Sequence, residues 1–400
     1  MAAEAETGGA GLRLLTGPIN SPTLERTIRR LLAKYPNAQW HVWDAAHMGG
    51  SRDASIAAFG APLQPMYRLS EAKIVVSLDG DIFHSMPGSI RMSREFMSKR
   101  HVTGTDAKAM NRLYVVESSP TITGSVADHR WAVKPSDIES FARTLAGAVG
   151  ASGAGGGDSR FEKAAGAIAR DLLLSGGDAV VIAGPTASVA TQALAHSINS
   201  RMGAVGRTVT LHPSNQAVPA EPVASVAALS QAIDSGKVQT LIVLGGNPAF
   251  DAPTDLQFAD KLAKVKYKIH SSLLLNETSA LCTWHAPESH YLETWGDARA
   301  LDGTVSIQQP LIAPIYQTKS HLELLTALLD ESTSAYDLVR QTWRGNKVAA
   351  GQGFDKAWAT WLNDGVVPGT ATPSSSVTVG TLSLPPGPAS QGIEIAFRPD

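Results

Sequence analysis

Short apolar runs alternate along the chain with longer segments whose apolar residues recur at helical spacing. Runs rich in Val, Ile and Leu predict buried strands, and the longer segments predict helices packed on them. The predicted strands are residues 12–15, 39–43, 73–78, 113–117, 179–183, 208–211, 240–244 and 266–270. Strand–helix alternation of this kind predicts parallel sheets with right-handed crossovers. We therefore expect an α/β fold with two doubly wound, mostly parallel, Rossmann-like lobes.

Helix signals support this alternation. Ser21 and Pro22 are expected to be the N-cap and first residue of one helix, and Ser136 with Glu139 predicts a capping box ahead of another. Further helices are predicted at residues 186–199, 255–264, 321–329, 335–343 and 354–362. The last three follow Pro314 without intervening strands, which predicts a different architecture in that part of the chain.

The chain is long for a single core, and its composition changes at two places. Residues 147–158 are glycine-rich, as linkers are, and residues 365–390 are rich in Pro, Gly, Ser and Thr. We therefore expect a first α/β lobe at 1–150, a second at 151–345, and a helix with a connector at 346–400. From Ile393 the residues alternate with a period of two, which predicts a strand leading into a further domain.

Composition narrows the classes of function. Hydrophobic residues make up 43% of the chain, charged residues 18%, and the formal net charge is −2, so an ordinary globular protein without a nucleic-acid partner is expected. The N-terminus does not resemble a signal peptide, and no run of about 18 apolar residues predicts a membrane span. The single cysteine, Cys282, excludes an internal disulfide and an iron–sulfur cluster held by this chain alone.

Two strand ends carry residues that can bind a ligand. Gly245-Gly246-Asn247-Pro248 follows an apolar strand, and glycines there let the backbone approach a phosphate; taken by itself, the tetrapeptide favours a simple tight turn. Asp79 and Asp81 end another strand, where carboxylates can bind a metal or a ribose. A solvated turn is the favoured interpretation of the two aspartates, because Asp and Gly are turn-forming residues.

Two further groups are open to more than one interpretation. Cys282, His285 and His290 have a spacing similar to a zinc site, with His270 or Glu288 as fourth ligand; a buried thiol beside surface histidines is favoured. A local basic cluster predicts either a solvated helix face, which we favour, or docking to an acidic partner. The cluster consists of Arg91, Arg94, Lys99, Arg100, Lys108 and Arg112.

Motifs of other enzyme classes are missing from the sequence. It contains no GxGxxG after a strand, no GxxxxGK[ST], no GxSxG, no HExxH and no CxxC. Dinucleotide hydride transfer, P-loop hydrolysis and α/β-hydrolase chemistry therefore lose support.

The order of motifs in the second half resembles the pterin-binding lobes of molybdopterin oxidoreductases. The strand and GGNP loop are followed by Asn276-Glu277-Thr278, a His-Ala-Pro sequence, Trp295-Gly296 and Asp302-Gly303 before IQQP. Longer runs, among them SPTLERTIRRLLAKYPNAQWHVWD, MNRLYVVESSPTITGSVADHR and HYLETWGDARALDGTVSIQQPLIAPIY, resemble a narrower family. This is the molybdopterin-oxidoreductase-like large periplasmic subunit of bacterial alternative complex III, a quinol-oxidising complex. The resemblance covers about residues 11–364.

The resemblance implies a subunit whose molybdopterin-like region has lost its cofactor. In that family a twin-arginine segment precedes this region and a ferredoxin-like domain with iron–sulfur clusters follows it, so we expect this chain to match the middle. The implied partners are that cluster-bearing domain, cytochrome c subunits and integral membrane quinol-binding subunits. The implied location is periplasmic, peripheral to the inner membrane. Ser51 is the nearest candidate for a molybdenum ligand.

Three functions follow as hypotheses. The first is a non-catalytic scaffold within an electron-transfer complex, in which residues 293–302 pack between the lobes. The second is an active enzyme with molybdopterin guanine dinucleotide. Its cofactor-binding residues would be Gly245, Gly246, Asn247, Thr278, Trp295 and Gly296. The third is a nucleotide or small-ligand binding module that uses Asp79, Asp81 and the GGNP loop.

Overall fold

A computed structural model describes residues 2–46, 50–101, 110–217, 221–345, 353–387 and 392–396. The strands, in chain order, are β1 Leu12–Thr16, β2 Gln39–Val42, β3 Leu63–Tyr67, β4 Ile74–Leu78, β5 Arg112–Glu117, β6 His129–Ala132, β7 Ala179–Ala183, β8 Val209–Pro213, β9 Thr240–Leu244, β10 Tyr267–Ser272, β11 Trp284–Pro287, β12 Gly296–Arg299 and β13 Val305–Gln308.

The helices, in chain order, are α1 Ala2–Glu6, α2 Pro22–Lys34, α3 Gly50–Phe59, α4 Ser89–Ser98, α5 Ile122–Ser125, α6 Pro135–Val149, α7 Glu162–Ser175, α8 Val189–Arg201, α9 Pro222–Asp234, α10 Pro248–Asp251, α11 Phe258–Leu262, α12 Glu277–Leu281, α13 His321–Leu328, α14 Ala335–Arg344 and α15 Phe354–Asp364. None of the helices in the described part of the chain is long and apolar enough to cross a membrane.

The chain divides into two compact units that interleave along the sequence. Unit 1 comprises residues 1–47 and 215–371, and unit 2 comprises residues 48–214 and 372–400. These limits differ from the division at 150 and 345 predicted from composition. The glycine-rich stretch at 147–158 is a loop between α6 and α7, which pack on each other inside unit 2. The high glycine content of this stretch therefore belongs to a connection between two packed helices and not to a domain boundary.

Unit 1 is built on a five-stranded, all-parallel sheet in the order β11-β10-β9-β1-β2. All residues of β1 and β9 are buried, as expected for central strands covered on both faces. One face is covered by α9 and α11, whose Leu229 and Leu262 are fully buried. The other face is covered by α2 and α13 through Ile28 and Leu325. This is a doubly wound arrangement.

A smaller layer completes unit 1. The antiparallel hairpin β12–β13 packs with α14 and α15 around Trp343, Trp358 and Trp361. Asp297 of β12 is buried and accepts hydrogen bonds from the Thr23 backbone amide (3.1 Å) and the Trp343 indole (2.8 Å). The hairpin is thus attached to the first turn of α2 within this unit.

Unit 2 is built on a four-stranded parallel sheet in the order β6-β5-β4-β7. Phe141 of α6 and Ile198 of α8 cover one face. Met92 and Phe96 of α4 cover the other face. A separate antiparallel pair, β3 with β8, also belongs to this unit. Unit 2 is therefore doubly wound as well.

The eight strands predicted from sequence are all present, within one or two residues. Those that the sequence did not predict are β3, β6, β11, β12 and β13. They lack a continuous apolar run: Pro65 interrupts β3, Pro287 ends β11, and the sequence of β12 is GDAR. Their pairing depends on tertiary neighbours, which local patterns do not reveal.

Several local predictions need correction. Ser21 caps α2 as expected, but Ser136 and Glu139 do not form a capping box, because the N-cap of α6 is Lys134 and Glu139 pairs with Arg143. The helix predicted from residue 186 begins at Val189. The helix predicted at 255–264 is broken at Gln257, whose φ is 47°. The strand predicted from Ile393 is absent from residues 392–396, and residues 397–400 lie outside the described part.

Candidate functional site

The GGNP loop lies where the sheet of unit 1 reverses its winding. β1 leads through α2 to β2 on one side, whereas β9 leads to β10 and β11 on the other. The helices that follow β1 and β9 cover opposite faces of the sheet, so the loops after these two strands diverge. In open α/β sheets, ligands bind in the crevice that this divergence creates. Gly245 and Gly246 follow β9 directly and lie at this position.

Both glycines are needed for backbone conformation and not for close packing. Gly245 and Gly246 have φ of 71° and 68°, a region that other residues rarely adopt. A Cβ on Gly245 would find its nearest neighbour, the Cε1 of His321, 3.9 Å away. A Cβ on Gly246 would have 3.9 Å to Pro248. Open space therefore lies in front of the loop.

The side chain of Asn247 is held by α12. Its Oδ1 accepts from the Thr278 amide (3.1 Å) and the Thr278 hydroxyl (2.8 Å), and its Nδ2 donates to Glu277 (2.6 Å). Thr278 Oγ1 also accepts from the Ala249 amide (3.0 Å). Donation by Asn247 lowers the pKa of the Glu277 carboxyl. The loop and α12 are thus joined by their own polar groups.

His270 also holds the GGNP loop in place. Its ring is fully buried; Nε2 lies 3.2 Å from the Gly246 carbonyl and Nδ1 lies 2.9 Å from Ser279 Oγ. Burial lowers the pKa of His270, which favours the neutral ring. The roles of Glu277 and Ser279 were not predicted from the sequence, although Asn276 and Ser279 form a capping box at the start of α12. The N-x-x-S pattern after a strand was the sequence signal that could have predicted this capping box.

Trp295 and Gly296 belong to a different part of unit 1. Trp295 packs edge-on against Tyr336 (4.8 Å between ring centroids) and near Trp358. Gly296 pairs with Gln308 in the hairpin. The structure therefore brings Thr278 to the GGNP loop through its hydrogen bonds with Asn247 and assigns the two remaining predicted residues, Trp295 and Gly296, to the aromatic layer and the hairpin.

The spacing similar to a zinc site does not assemble one. Cys282 is the C-cap of α12, and burial raises its pKa to about 11, far from the thiolate that a metal needs. His285 contacts Ser272 Oγ at 3.1 Å, and His290 stacks on Tyr291. Across the described residues, no three His, Cys, Asp or Glu side chains come close enough to hold a metal ion.

Asp79 and Asp81 are buried, which corrects the expectation of a solvated turn. Asp79 accepts from the amide (2.8 Å) and hydroxyl (3.0 Å) of Ser118. Asp81 accepts from the amide (3.1 Å) and hydroxyl (2.8 Å) of Thr123. The two carboxylates therefore fix the loop after β5 to the end of β4.

Three members of the basic cluster form ion pairs with carboxylates of unit 2. Arg91 pairs with Glu95, and the guanidinium groups of Arg100 and Arg112 pair with Asp128 and Asp171. Lys108 lies outside the described residues. The pairs reduce the net positive potential that docking to an acidic partner would require.

The polar residues nominated for a molybdenum–pterin cofactor do not fit that role as arranged. The positions of Gly245 and Gly246 are uncrowded, but Asn247 and Thr278 direct their hydrogen-bonding atoms at each other. Ser51, at the start of α3, donates to Gln192 Oε1 at 2.7 Å. The sole thiol, that of Cys282, is held protonated by its raised pKa.

Unit 1 also carries an exposed apolar segment, which we call the apolar ribbon, at residues 311–316. Its large side chains are Leu311, Ile312, Ile315 and Tyr316, of which Tyr316 is 77% exposed. The ribbon contains no charged residue and is fixed by bonds from the Leu311 and Ile312 amides to the Leu292 carbonyl. Contiguous exposed apolar surface is a candidate region for contact with another molecule.

Comparisons with known proteins agree with this architecture. No known protein-family profile matches the chain. The menaquinone reductase molybdopterin-binding-like subunit of Nitratidesulfovibrio vulgaris is 28% identical over 178 residues, which are 42% of this chain and 24% of that protein. Acetylene hydratase from Pelobacter acetylenicus superposes with a TM-score of 0.56 at 12% identity, over 94% of this chain and 63% of that chain.

A chain of the formyltransferase/hydrolase complex of Methylorubrum extorquens also superposes, with a TM-score of 0.52 at 13% identity, over 85% of this chain and 95% of that chain. The chain thus spans less than two thirds of the length of the first two relatives. The predicted fold class is confirmed: α/β, with two doubly wound, mostly parallel lobes, a fold shared with acetylene hydratase. Over 178 residues the chain is similar to a molybdopterin-binding-like subunit of a quinone-linked enzyme.

Proposed function

We propose that this chain is a non-catalytic scaffold region of a quinone-linked electron-transfer complex, of the alternative complex III type. The observation that carries the proposal is the Asn247–Thr278 contact: the groups that would bind a pterin nucleotide stabilise the protein's own loop instead. The similarity to a menaquinone reductase subunit supports the quinone-linked setting. A fold retained without its ancestral chemistry is physically reasonable, because function resides in sites.

In this proposal, electrons pass through partner subunits. The chain has one cysteine, whereas an iron–sulfur cluster takes four thiolates or two thiolates and two histidines. The proposed partners are a cluster-bearing ferredoxin-like domain, cytochrome c subunits and membrane subunits that bind the quinol, on the periplasmic side. The role of this chain is then to provide docking surface, for which the apolar ribbon is the leading region.

The decisive experiment is the metal and pterin content of the natively purified complex and of this chain separated from it. Elemental analysis and the fluorescence of oxidised pterin should give no molybdenum, tungsten or pterin in the separated chain. One molybdenum and pterin per chain would overturn the proposal and support the active enzyme. In that case Gly246→Asp, which puts a charged side chain into the open space, should abolish pterin retention.

The docking role has its own test. Ile315→Ser combined with Tyr316→Ser should weaken retention of the chain in the purified complex without altering its folding, because both side chains are more than two-thirds exposed. The matched control is Leu174→Ser, a leucine of α7 in unit 2 that is 87% exposed. Equal retention of both variants would exclude the ribbon as a docking surface.

A further inference from the structure

Unit 2 has its own winding reversal, between β4 and β7. α4, after β4, and α8, after β7, cover opposite faces of the sheet, so a crevice opens at the carboxyl ends of these strands. A cavity of 320 Å³ lies there. Asp79, the start of α6 and the loop before α8 line it, and so do Ile395 and Ala396 from the far end of the chain.

The first turn of α6 lacks a local cap. Of the long helices that begin with proline, α2 is capped by the side chain of Ser21 and α9 by that of Glu221, each directly before the proline. At α6 the corresponding residue is Lys134, whose side chain has no acceptor atom and makes no cap bond. Pro135 has no N–H and the Asp137 amide donates to the Lys134 carbonyl (3.0 Å), so the Ser136 amide is the one that takes its acceptor from elsewhere.

Glu394 supplies that acceptor. Its carboxylate accepts from the Ser136 amide (2.8 Å) and the Ser136 hydroxyl (2.6 Å), across 258 positions of sequence. A carboxylate at this position is stabilised by the amides and by the positive end of the helix dipole. The N-terminus of a helix beside a sheet crevice is also where folds of this kind bind a ligand phosphate.

We propose that residues 392–396 form an intramolecular strap across the unit 2 crevice, anchored by Glu394 in the position of a ligand's anionic group. The preceding tail follows the same unit: the Leu382 amide donates to Ser152 Oγ, and the Pro385 carbonyl accepts from Arg143. Ile395 remains 76% exposed although it borders the cavity. Apolar burial therefore contributes little, and the anchor is the Glu394 carboxylate.

Accessibility of the crevice tests the strap in the full chain. Ala187, which lines the cavity, is changed to Cys, and the rate of its alkylation is measured by mass spectrometry in wild-type, Glu394→Ala and Glu394→Gln backgrounds. Cys282, in unit 1, is alkylated slowly because its pKa is raised to about 11, and its rate in each digest is the internal reference. Exchange of the Ser136 amide is followed in the same proteins without the Ala187 change.

We expect Glu394→Ala to accelerate both alkylation at position 187 and exchange at Ser136 by about tenfold or more, because two hydrogen bonds to a charged group are lost. Glu394→Gln should give a smaller increase, since an amide oxygen still accepts from one donor. The matched control is Glu221→Ala, which removes a carboxylate cap from α9 in unit 1 and should leave position 187 unchanged.

Equal alkylation rates in wild type and Glu394→Ala would overturn the strap, as would an equal acceleration by Glu221→Ala. If the Glu394 variants do not fold, Ser136→Ala removes one of the two anchor bonds and should accelerate alkylation in the same direction. The strap concerns unit 2 alone, so metal and pterin analysis of the chain neither supports nor excludes it.

Discussion

Gly184 and Asp79 approach so closely that a Cβ on Gly184 would lie 2.1 Å from the Asp79 carbonyl oxygen. The two residues end neighbouring strands, β7 and β4, at the crevice of unit 2. Asp79 itself has a φ of 55°, which is strained for a residue with a side chain. The Ser118 bonds described above hold it in that conformation. The crevice therefore depends on one glycine and one strained aspartate.

Gly184→Ala should destabilise unit 2 by about 3 kcal/mol, because the contacted atoms are backbone and cannot move aside cheaply. Hydrogen exchange of the β4 and β7 amides measures the loss. Gly166→Ala is the matched control: Gly166 lies in α7, and its Cβ would meet nothing within 4 Å. That change should stabilise the helix by about 0.5–1 kcal/mol. Similar exchange in the two variants would contradict the close-approach account.

Asn247→Ala should loosen the GGNP loop, with a loss of about 1–3 kcal/mol from the bonds to Thr278. Exchange of the Thr278 amide reports the loss directly. Carboxyl NMR should also show the pKa of Glu277 rising toward its ordinary value, since the donation by Asn247 that lowers it is gone. Asn363→Ala, at an exposed asparagine near the end of α15, should change neither the exchange of the Thr278 amide nor the pKa of Glu277. An unchanged exchange rate of the Thr278 amide in Asn247→Ala would show that Asn247 does not hold the GGNP loop.

Asp297→Ala should cost unit 1 at least about 3 kcal/mol, because the buried donors on Thr23 and Trp343 lose their acceptor together. Trp343→Phe removes one of these bonds while it keeps most of the ring packing, and should cost about 1.5 kcal/mol. Urea unfolding monitored by circular dichroism gives both values. If the two variants unfold at the same urea concentration, Asp297 is not the centre of this network.

His196 makes stability depend on pH in the acid direction. It is buried against Phe59 in unit 2, and burial lowers its pKa to about 4 from 6.5. The unfolded state binds a proton at His196 near pH 6.5, whereas the folded state does so only near pH 4. The free energy of unfolding therefore has its full value above pH 6.5 and decreases as the pH falls toward 4. The loss is roughly 3 kcal/mol over that window. Urea titrations at several pH values should show a shallower decline for His196→Leu; identical slopes would refute the assignment.

The core sheets were predictable from sequence, and the contacts that shape the candidate sites were not. β1, β4, β7 and β9 are apolar runs buried on both faces, so local composition was sufficient to identify them. The position of the GGNP loop after a strand was equally readable. The interleaving of the two units could not be predicted, because strand order in a sheet is set by tertiary pairing and not by spacing in the sequence.

The side chains that hold each loop or helix end could not be predicted from the sequence either. Asn247 and Glu277 are 30 residues apart, and Ser136 and Glu394 are 258 apart. Carboxylates and amides of this kind occur throughout the chain, so no local pattern singles out these pairs. The prediction of a capping box at Ser136 was wrong for this reason: the carboxylate that caps the helix comes from the other end of the chain.

The interleaving of the two units sets the order in which they can be completed during synthesis. β1 pairs with β9, Leu12 opposite Thr240, so the centre of the unit 1 sheet waits while the intervening residues are translated. At ribosomal rates this takes on the order of ten to fifty seconds. Unit 2, whose sheet strands span only residues 74–183, can assemble that sheet first. Meanwhile β1 can pair with β2 on one side only, and its other edge, which later binds β9, stays open to incorrect pairing in the nascent chain.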